Sequence, residues 1–198
     1  VSARHKRVHY ERVACDILRL VPGPHALVVD YGCGDALCAE RVASACGHLL
    51  LCDAAQTVRD RLRARYCGCK NISVISPEQF EELDPATIDV VIDNSVIQYL
   101  SQAEFTRLLS TCRRNLRPEG CLVLGDVIPR NVNPVRDAIE LMKLAGAHGF
   151  LLSATAGLVK SFFSDYLRVR RETGFLQFVE PEIVQQLRLA GFAAGRHQ

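Results

Sequence analysis

Apolar and polar positions along the chain follow two different periods. Short and uniformly apolar runs, too apolar for an exposed strand, predict buried β-strands. These runs are ALVVD (26–30), HLLLCD (48–53), NISVI (71–75), IDVVID (88–93) and CLVLGDV (121–127). Between them, apolar residues recur three or four positions apart, which predicts amphipathic helices. The predicted helices span 4–21, 36–46, 54–66, 103–116 and 181–190.

Strands that alternate with helices predict an α/β fold, here a doubly wound and mostly parallel sheet with helices on both faces. A chain of 198 residues is long enough to bury a substantial core, and we expect one domain over residues 1–198. The predicted turn at Pro118-Glu119-Gly120 leads into the fifth strand, and Gly191 is expected to end the last helix.

The segment 129–175 is longer than the crossover connection after the fifth strand needs to be. The segment is rich in leucine and phenylalanine but is interrupted by His148, Lys160 and several glycines, so it does not resemble a membrane span. We expect a helical insertion that covers the functional site and lines an apolar pocket. Three alternatives remain: an extension of the core, the contact of a homodimer, or a membrane-surface helix.

Charge and cysteine usage exclude several classes of function. A net charge of +2 and a pI near 8.1 are too small to indicate nucleic-acid binding. The nine cysteines are scattered among apolar positions, and Cys67 and Cys69 lack the second pair that a zinc site needs. No apolar run is long enough for a transmembrane segment, and no signal peptide is evident. We therefore expect a cytoplasmic protein without a metal.

The stretch VVDYGCGDA (28–36) carries a strand into a glycine turn. In an open parallel sheet the ligand lies beyond the carboxyl ends of the strands, at the point where the strand order reverses. Glycine at 32 and 34 permits positive φ and lets a ligand approach the backbone. Asp53 ends the second strand about 20 residues later, where an acid can accept both ribose hydroxyls. It could also cap the following helix.

Two features argue against a dinucleotide. The third glycine of the dinucleotide fingerprint is missing, because Gly34 is followed by Asp35, Ala36 and Leu37. Asp30 and Asp35 also place negative charge where a pyrophosphate would lie. The ligand predicted from these residues is a nucleoside that carries a cationic group.

At these positions the sequence resembles the class I S-adenosylmethionine-dependent methyltransferases. VVDYGCGDA is similar to their glycine motif, and Asp53 to their ribose-binding acid. IDVVIDNSVIQYL (88–100) is similar to the strand and turn beside the methyl donor, and LRPEGCLVLGDV (116–127) to their fifth strand. The resemblance covers roughly residues 8–128 and the helix near 181–191. It implies the Rossmann-like methyltransferase fold, with S-adenosylmethionine as cofactor.

The resemblance also implies a set of cofactor-binding residues at the strand ends. They are Asp30, Tyr31, Gly32, Cys33, Gly34, Asp53, Ala54, Pro77, Glu78, Asn94 and Ser95. The first strand's turn would hold the methionine end, Asp53 the ribose, Ala54 the adenine, and Asn94 and Ser95 the methionyl part. Glu78 is equally interpretable as a first-turn acid, because Ser76 and Gln79 have capping-box spacing with Pro77 between them. Asp30, Asn94 and Ser95 could instead be ordinary turn residues.

Methyl transfer from a sulfonium needs no covalent enzyme intermediate, so positioning can supply most of the acceleration. A general base is needed only for an acceptor that is protonated at neutral pH, and the catalytic residue stays unknown. No spacing singles out one of the candidate bases, which are His9, Tyr10, Tyr99, Asp126 and His148.

The acceptor is predicted by exclusion. The family's Pro-Pro-aromatic motif for nucleic-acid amines does not follow the fourth strand, and no Pro-Cys dipeptide for cytosine carbon occurs. We expect a small-molecule or lipid-like acceptor with apolar character. The alternatives are a non-catalytic S-adenosylmethionine-binding module, or an RNA or protein methyltransferase.

The first test compares two cofactors. The purified protein should bind S-adenosylmethionine and S-adenosylhomocysteine but not NAD, because Asp30 and Asp35 disfavour a pyrophosphate and the third glycine of the dinucleotide fingerprint is missing. Titration calorimetry with each ligand measures this directly. Tighter binding of NAD would contradict the interpretation and favour a dehydrogenase.

Overall fold

The computed structural model describes residues 3–127 and 179–195, with side chains from residue 10 onward. The described strands are β1 (Leu27–Tyr31), β2 (His48–Cys52), β3 (Ile72–Ile75), β4 (Ile88–Asn94) and β5 (Leu116–Gly125). The described helices are α1 (Ala3–Leu20), α2 (Ala39–Ala43), α3 (Gln56–Arg65), α4 (Pro77–Glu81), α5 (Gln102–Asn115) and α6 (Glu180–Leu189). The predicted cover at 129–175 lies outside the described residues.

The strands form one parallel sheet in the order β3-β2-β1-β4-β5. The chain builds outward from β1 to β3 and then crosses back to place β4 on the other side of β1. The strand order therefore reverses between β1 and β4, and this is where a crevice opens at the carboxyl ends of the strands. Asp30 lies opposite Leu51 of β2 and Ile92 of β4 in this register.

Helices cover both faces of the sheet. Alternate strand residues point to opposite faces, so Val28 and Val29 belong to two different cores. The first core contains residues of α1, α2 and α3, and the second contains residues of α4 and α5. A third cluster joins α5 to α6 through Phe105 and Ile183. The predicted doubly wound α/β fold is confirmed.

Most of the predicted elements appear within a few residues of their expected bounds, with two exceptions. The helix predicted over 36–46 is only Ala39–Ala43, because Ala36 takes a positive φ of 39°. The predicted turn at 118–120 lies inside β5, which begins at Leu116. The pairing shifts there, since Ile88 lies opposite Leu116 but Val90 opposite Cys121. The extra residues form a bulge in β5.

The predicted helix ends depend on local hydrogen bonds. The Ser101 hydroxyl accepts a hydrogen bond from the Glu104 N–H at 3.2 Å, and the Glu104 carboxylate accepts one from the Ser101 N–H at 2.7 Å. Ser76 and Gln79 form the same reciprocal pair at the start of α4. Gly191 has φ of 87° directly after α6, a conformation that suits glycine. Within the described ranges no helix is long and apolar enough to cross a bilayer.

A buried amide joins α5 to α4. Asn115 is fully buried, and its Nδ2 donates to the carbonyl oxygen of Phe80 at 2.8 Å. Replacing Asn115 by Ala leaves that carbonyl without its donor, and we expect the free energy of unfolding to fall by about 1–3 kcal/mol. Urea unfolding measures the loss. Glu119→Ala, at an exposed position of β5, is the control and should change stability little. Equal stability of both variants would contradict this role for Asn115.

Candidate cofactor site

A cavity of about 390 Å³ opens at the carboxyl edge of the sheet. Its lining comes from the ends of β1, β2 and β4, from the start of α4 and from α1. The lining residues are Tyr10, Val13, Asp30, Tyr31, Gly32, Cys33, Gly34, Cys52, Asp53, Ala54, Pro77, Asn94, Ser95, Val96, Tyr99 and Leu100. Its size lies within the range of small-molecule sites.

The structure brings ten of the eleven predicted cofactor residues together around this cavity, and the exception is Glu78. Glu78 is exposed in the first turn of α4. A hydrogen bond from the Ser76 hydroxyl is the main cause that lowers the pKa of Glu78. This position supports the interpretation of Glu78 as a first-turn acid rather than an adenine ligand.

The glycine turn is held tightly against β2 and β4. The N–H groups of Gly32 and Cys33 both donate to the carbonyl oxygen of Cys52, at 2.8 and 3.1 Å. Gly32 has φ of 71°, and a Cβ at this position would lie 2.1 Å from a methyl carbon of Val96. Only glycine therefore allows the turn after β1 to approach the turn after β4 this closely.

Asp53 connects the glycine turn to the segment that starts α3. Its Oδ2 accepts from the Gly34 N–H at 3.1 Å, and its Oδ1 accepts from the Ala55 N–H at 2.8 Å. Each carboxylate oxygen has a further lone pair, so these bonds leave room for ribose hydroxyls. Arg59 donates to the carbonyl oxygens of Asp53 and Ala54, both at 2.7 Å, and so fixes the backbone beside the carboxylate.

The sequence did not indicate how α1 reaches the cavity. The Tyr10 hydroxyl accepts from the Asp35 N–H at 2.9 Å, which ties the helix to the glycine turn. Tyr10 was predicted only as a position on the helix's apolar face and as one candidate base. The Asp35 carboxylate pairs with Arg61 at 3.5 Å, and Asp35 does not line the cavity. The charge argument against a pyrophosphate therefore depends on Asp30 alone.

The turn after β4 is built from side-chain and backbone hydrogen bonds. Asp93 Oδ1 accepts from the Val96 N–H at 3.2 Å, and Gln98 Nε2 donates to the Ser95 carbonyl at 2.6 Å. Ser95 has φ of 65°, which turns the chain sharply at the cavity. Asn94 lies against Gly125 of the neighbouring strand, where a Cβ would be 2.5 Å from Asn94 Oδ1.

Comparison with known proteins identifies the domain. Residues 28–120 match a family model described as a methyltransferase domain. Residues 28–120 thus form a methyltransferase domain. Nodulation protein S from Rhizobium tropici is 28% identical over 116 residues, which are 58% of this chain and 49% of that protein. The chain thus spans about half the length of the curated relative it matches.

Solved structures show that this methyltransferase has the family fold. Phosphoethanolamine N-methyltransferase 2 from Haemonchus contortus, in complex with S-adenosyl-L-methionine, superposes with a TM-score of 0.64 at 17% identity. The match covers 91% of this chain and 36% of that one. A chain in the complex of the Haloferax volcanii Trm112 methyltransferase activator with its methyltransferase gives 0.63 at 18% identity. That match covers 95% of this chain and 71% of the other.

Two carboxyl groups of the methyltransferase lie in an environment that disfavours their charge. Burial, and secondly the nearby Asp53 carboxylate, raises the pKa of Asp30 to about 7. Burial also raises the pKa of Asp93 to about 7, although N–H groups of Val96 and Ile97 lower it. Asp30 faces the cavity, whereas Asp93 supports the turn beneath it. A cationic ligand in the cavity would favour the ionised form of Asp30.

Two cysteine thiols also face the cavity, Cys33 from the glycine turn and Cys52 from the end of β2. Burial is the largest cause that raises the pKa of each thiol far above its usual value, and neighbouring carboxylates raise it further. All nine cysteines of the chain lie in its described part, and all are free. Among the residues that the structure describes, no group of His, Cys, Asp and Glu side chains could hold a metal ion.

The candidate bases differ in position. Tyr10 and Tyr99 line the cavity, and Tyr99 is 57% exposed. Asp126 follows β5 and is exposed, and its carboxylate accepts a hydrogen bond from the Ser95 hydroxyl. The side chain of His9 and the whole of His148 lie outside the described part of the chain. Their roles stay predictions.

The raised pKa of Asp30 gives a pH-dependent test in the free protein. Its pKa is about 7 in the folded protein, against an ordinary value of 3.8, so ionisation of Asp30 increasingly costs stability as the pH rises from about 4 to 7. Asp30→Asn removes this cost. The variant should gain stability over the wild type across that range, level off above pH 7, and bind S-adenosylmethionine at least about tenfold more weakly.

Urea unfolding between pH 5 and 9 measures the first effect and calorimetry the second. Asp84→Asn, on an exposed turn, is the matched control and should show a constant difference from the wild type. A stability difference for Asp30→Asn that does not change with pH would contradict the buried-acid argument.

Proposed function

We propose that this domain transfers a methyl group from S-adenosylmethionine to a small-molecule acceptor. The supporting observation is the convergence of predicted cofactor residues from three strand ends and the start of α4 around one cavity of about 390 Å³. Each part of the cofactor was predicted to bind at the end of a different strand, so the proposed direction of the cofactor follows the order of the strands.

In this proposal the parts of the cofactor follow the order of the strands from one edge of the sheet towards the other. Pro77, after β3, and Ala54, after β2, lie where the adenine is proposed, and Asp53 where the ribose is proposed. The glycine turn after β1 and the Asn94-Ser95 turn after β4 would hold the methionine end. Backbone N–H groups and small residues suit this role because the cofactor can approach them without meeting a Cβ.

Asp30 is suited to a cationic group at the methionine end. Burial raises the pKa of Asp30 to about 7, because the surrounding protein groups compensate its negative charge poorly. The amino group or the sulfonium of the cofactor would supply the missing positive charge. An uncharged ligand would leave that cost in place, so Asp30 favours S-adenosylmethionine over a neutral nucleoside.

The reaction needs no group that the chain lacks. S-adenosylmethionine, when bound, would supply an electrophilic methyl group, and its sulfur would keep the electron pair of the carbon–sulfur bond. Asn94 and Ser95 would hold the methionine end of the cofactor and so keep the methyl group in line with the acceptor's nucleophilic atom. Positioning of this kind can contribute up to ~7–11 kcal/mol.

The proposed acceptor is a small molecule with apolar character. A net charge of +2 does not favour nucleic acid, and the family's motif for nucleic-acid amines is not present after β4. The proposed apolar pocket depends on the composition of 129–175, which lies outside the described residues. Nine free cysteines, four of them buried, support the cytoplasm as the compartment.

The decisive test of the cofactor's placement combines a substitution of Asp53 with removal of a ribose hydroxyl from the ligand, as in a double-mutant cycle. Asp53→Ala should weaken S-adenosylhomocysteine binding by about 1.5–3 kcal/mol, or roughly ten- to 150-fold. The variant also frees the N–H groups of Gly34 and Ala55, so affinity alone would not separate ribose binding from support of the turn.

The ligand half of the cycle is 2′-deoxy-S-adenosylhomocysteine. If Asp53 binds the ribose, the deoxy ligand should bind more weakly than its parent in the wild type, and the two should bind equally in Asp53→Ala. A penalty that persists in the variant would show that Asp53 only supports the backbone. Methyl transfer itself is tested in single turnovers with a labelled methyl group and a panel of acceptors.

A further inference from the structure

The ends of β4 and β5 are joined in an unusual way. Asn94 and Gly125 are paired in the sheet, and the residue after each has a positive φ, 65° for Ser95 and 52° for Asp126. The Ser95 N–H donates to the Gly125 carbonyl at 3.1 Å, and its hydroxyl donates to the Asp126 carboxylate. Left-handed backbone is uncommon in residues other than glycine, and residues that adopt it cluster at functional sites. The two turns therefore fix the carboxylate beside a residue of the cavity wall.

The sheet order determines what lies beyond the methionine end of the cofactor. In the proposed placement the cofactor extends from the ends of β3 and β2, past β1, to Asn94 and Ser95 at the end of β4. The next strand is β5, and Asp126 is the first residue after it. The adenine and ribose occupy the β2 and β3 side. In this placement, an acceptor that approaches the methyl group from the β5 side would pass Asp126.

We propose that Asp126 binds the amino group of the methyl acceptor, so that the acceptor class is an amine. This inference rests on the proposed function. An ionised carboxylate only accepts hydrogen bonds, and an ammonium group only donates them. The Ser95 hydroxyl, which donates to Asp126, belongs to a residue of the cavity wall. The exposed ring of Tyr99 lines the same wall, and the face of an aromatic ring also favours a cation.

The transfer to an amine balances without a further reactant. The acceptor's ammonium first releases a proton to solvent, and the nitrogen lone pair then forms the bond to the methyl carbon as the carbon–sulfur bond breaks. The electron pair stays on sulfur, and the nitrogen carries the positive charge afterwards. Asp126 is thus an acceptor-binding residue that stabilises a cation before and after the transfer. An acceptor carboxylate would be repelled at the same place.

The test uses two simple amphiphiles as probes. Octylamine and octanoate have the same chain and opposite charges, and each is titrated by calorimetry into protein saturated with S-adenosylhomocysteine. The wild type should bind octylamine more tightly than octanoate. Asp126→Asn keeps an oxygen for the Ser95 hydroxyl but loses the charge, and it should bind octylamine about tenfold more weakly and lose the preference. Glu119→Gln, an exposed acid at the other end of β5, should behave as the wild type.

The outcomes separate this inference from the proposed function. Equal octylamine affinity in the wild type and Asp126→Asn, or tighter octanoate binding by the wild type, overturns the role of Asp126 while the cofactor site stands. A wild type that does not bind S-adenosylhomocysteine overturns both. Asp126→Asn should bind S-adenosylhomocysteine as the wild type does, and in turnover of an amine it should raise KM more than it lowers kcat. A loss of cofactor affinity in this variant would also contradict the inference, because it would place Asp126 in the cofactor site.

Discussion

The pairing of β1 with β4 is the constraint on which the rest of the site depends. These strands are distant in sequence, yet their parallel register places Tyr31 opposite Asp93 and makes both strands end at one level. The turns that follow then face each other, and Gly32 lets them approach to a distance that a side chain would not allow. Every proposed contact to the methionine end of the cofactor comes from the ends of these two strands or from the turns that follow them. A shift of one residue in this register would move Asp30 away from the cavity.

The site is maintained against the local preferences of its residues. Asp93 is a buried carboxyl, and Asp30 is a partly buried one whose pKa burial raises. Ser95 and Asp126 take backbone conformations that favour glycine. None of these features stabilises the folded protein in the absence of a ligand, and each lies at or beside the cavity. Residues that conflict with stability in this way are typical of functional sites, because a ligand supplies what the free protein lacks. The core clusters on the two faces of the sheet provide the stability that tolerates them.

The elements of the fold could be predicted because their signals are local. Uniformly apolar runs fix the strands, and the capping pairs at Ser76 and Ser101 fix the starts of two helices. The lining of the cavity was also largely foreseen, since the strand ends of an open parallel sheet meet at one edge. That these residues bind the cofactor stays a prediction.

The remaining features depend on contacts between segments far apart in sequence. The hydrogen bond from the Asp35 N–H to Tyr10 joins residues 25 positions apart, and no periodicity indicates it. The shortened α2 follows from the unusual φ of Ala36. The hydrogen bond between Ser95 and Asp126 requires β4 and β5 to be neighbours in the sheet. No local pattern in the sequence indicates that pairing.

The two thiols in the cavity wall have a chemical consequence for an enzyme that holds a methylating agent. Cys33 and Cys52 are sulfur nucleophiles within the same cavity as the proposed methyl donor. A thiolate is the reactive form of cysteine, and burial with nearby carboxylates keeps both groups protonated. If the cavity holds the proposed methyl donor, its walls would therefore resist alkylation. The same burial that raises the pKa of both thiols would then protect the protein from modifying itself.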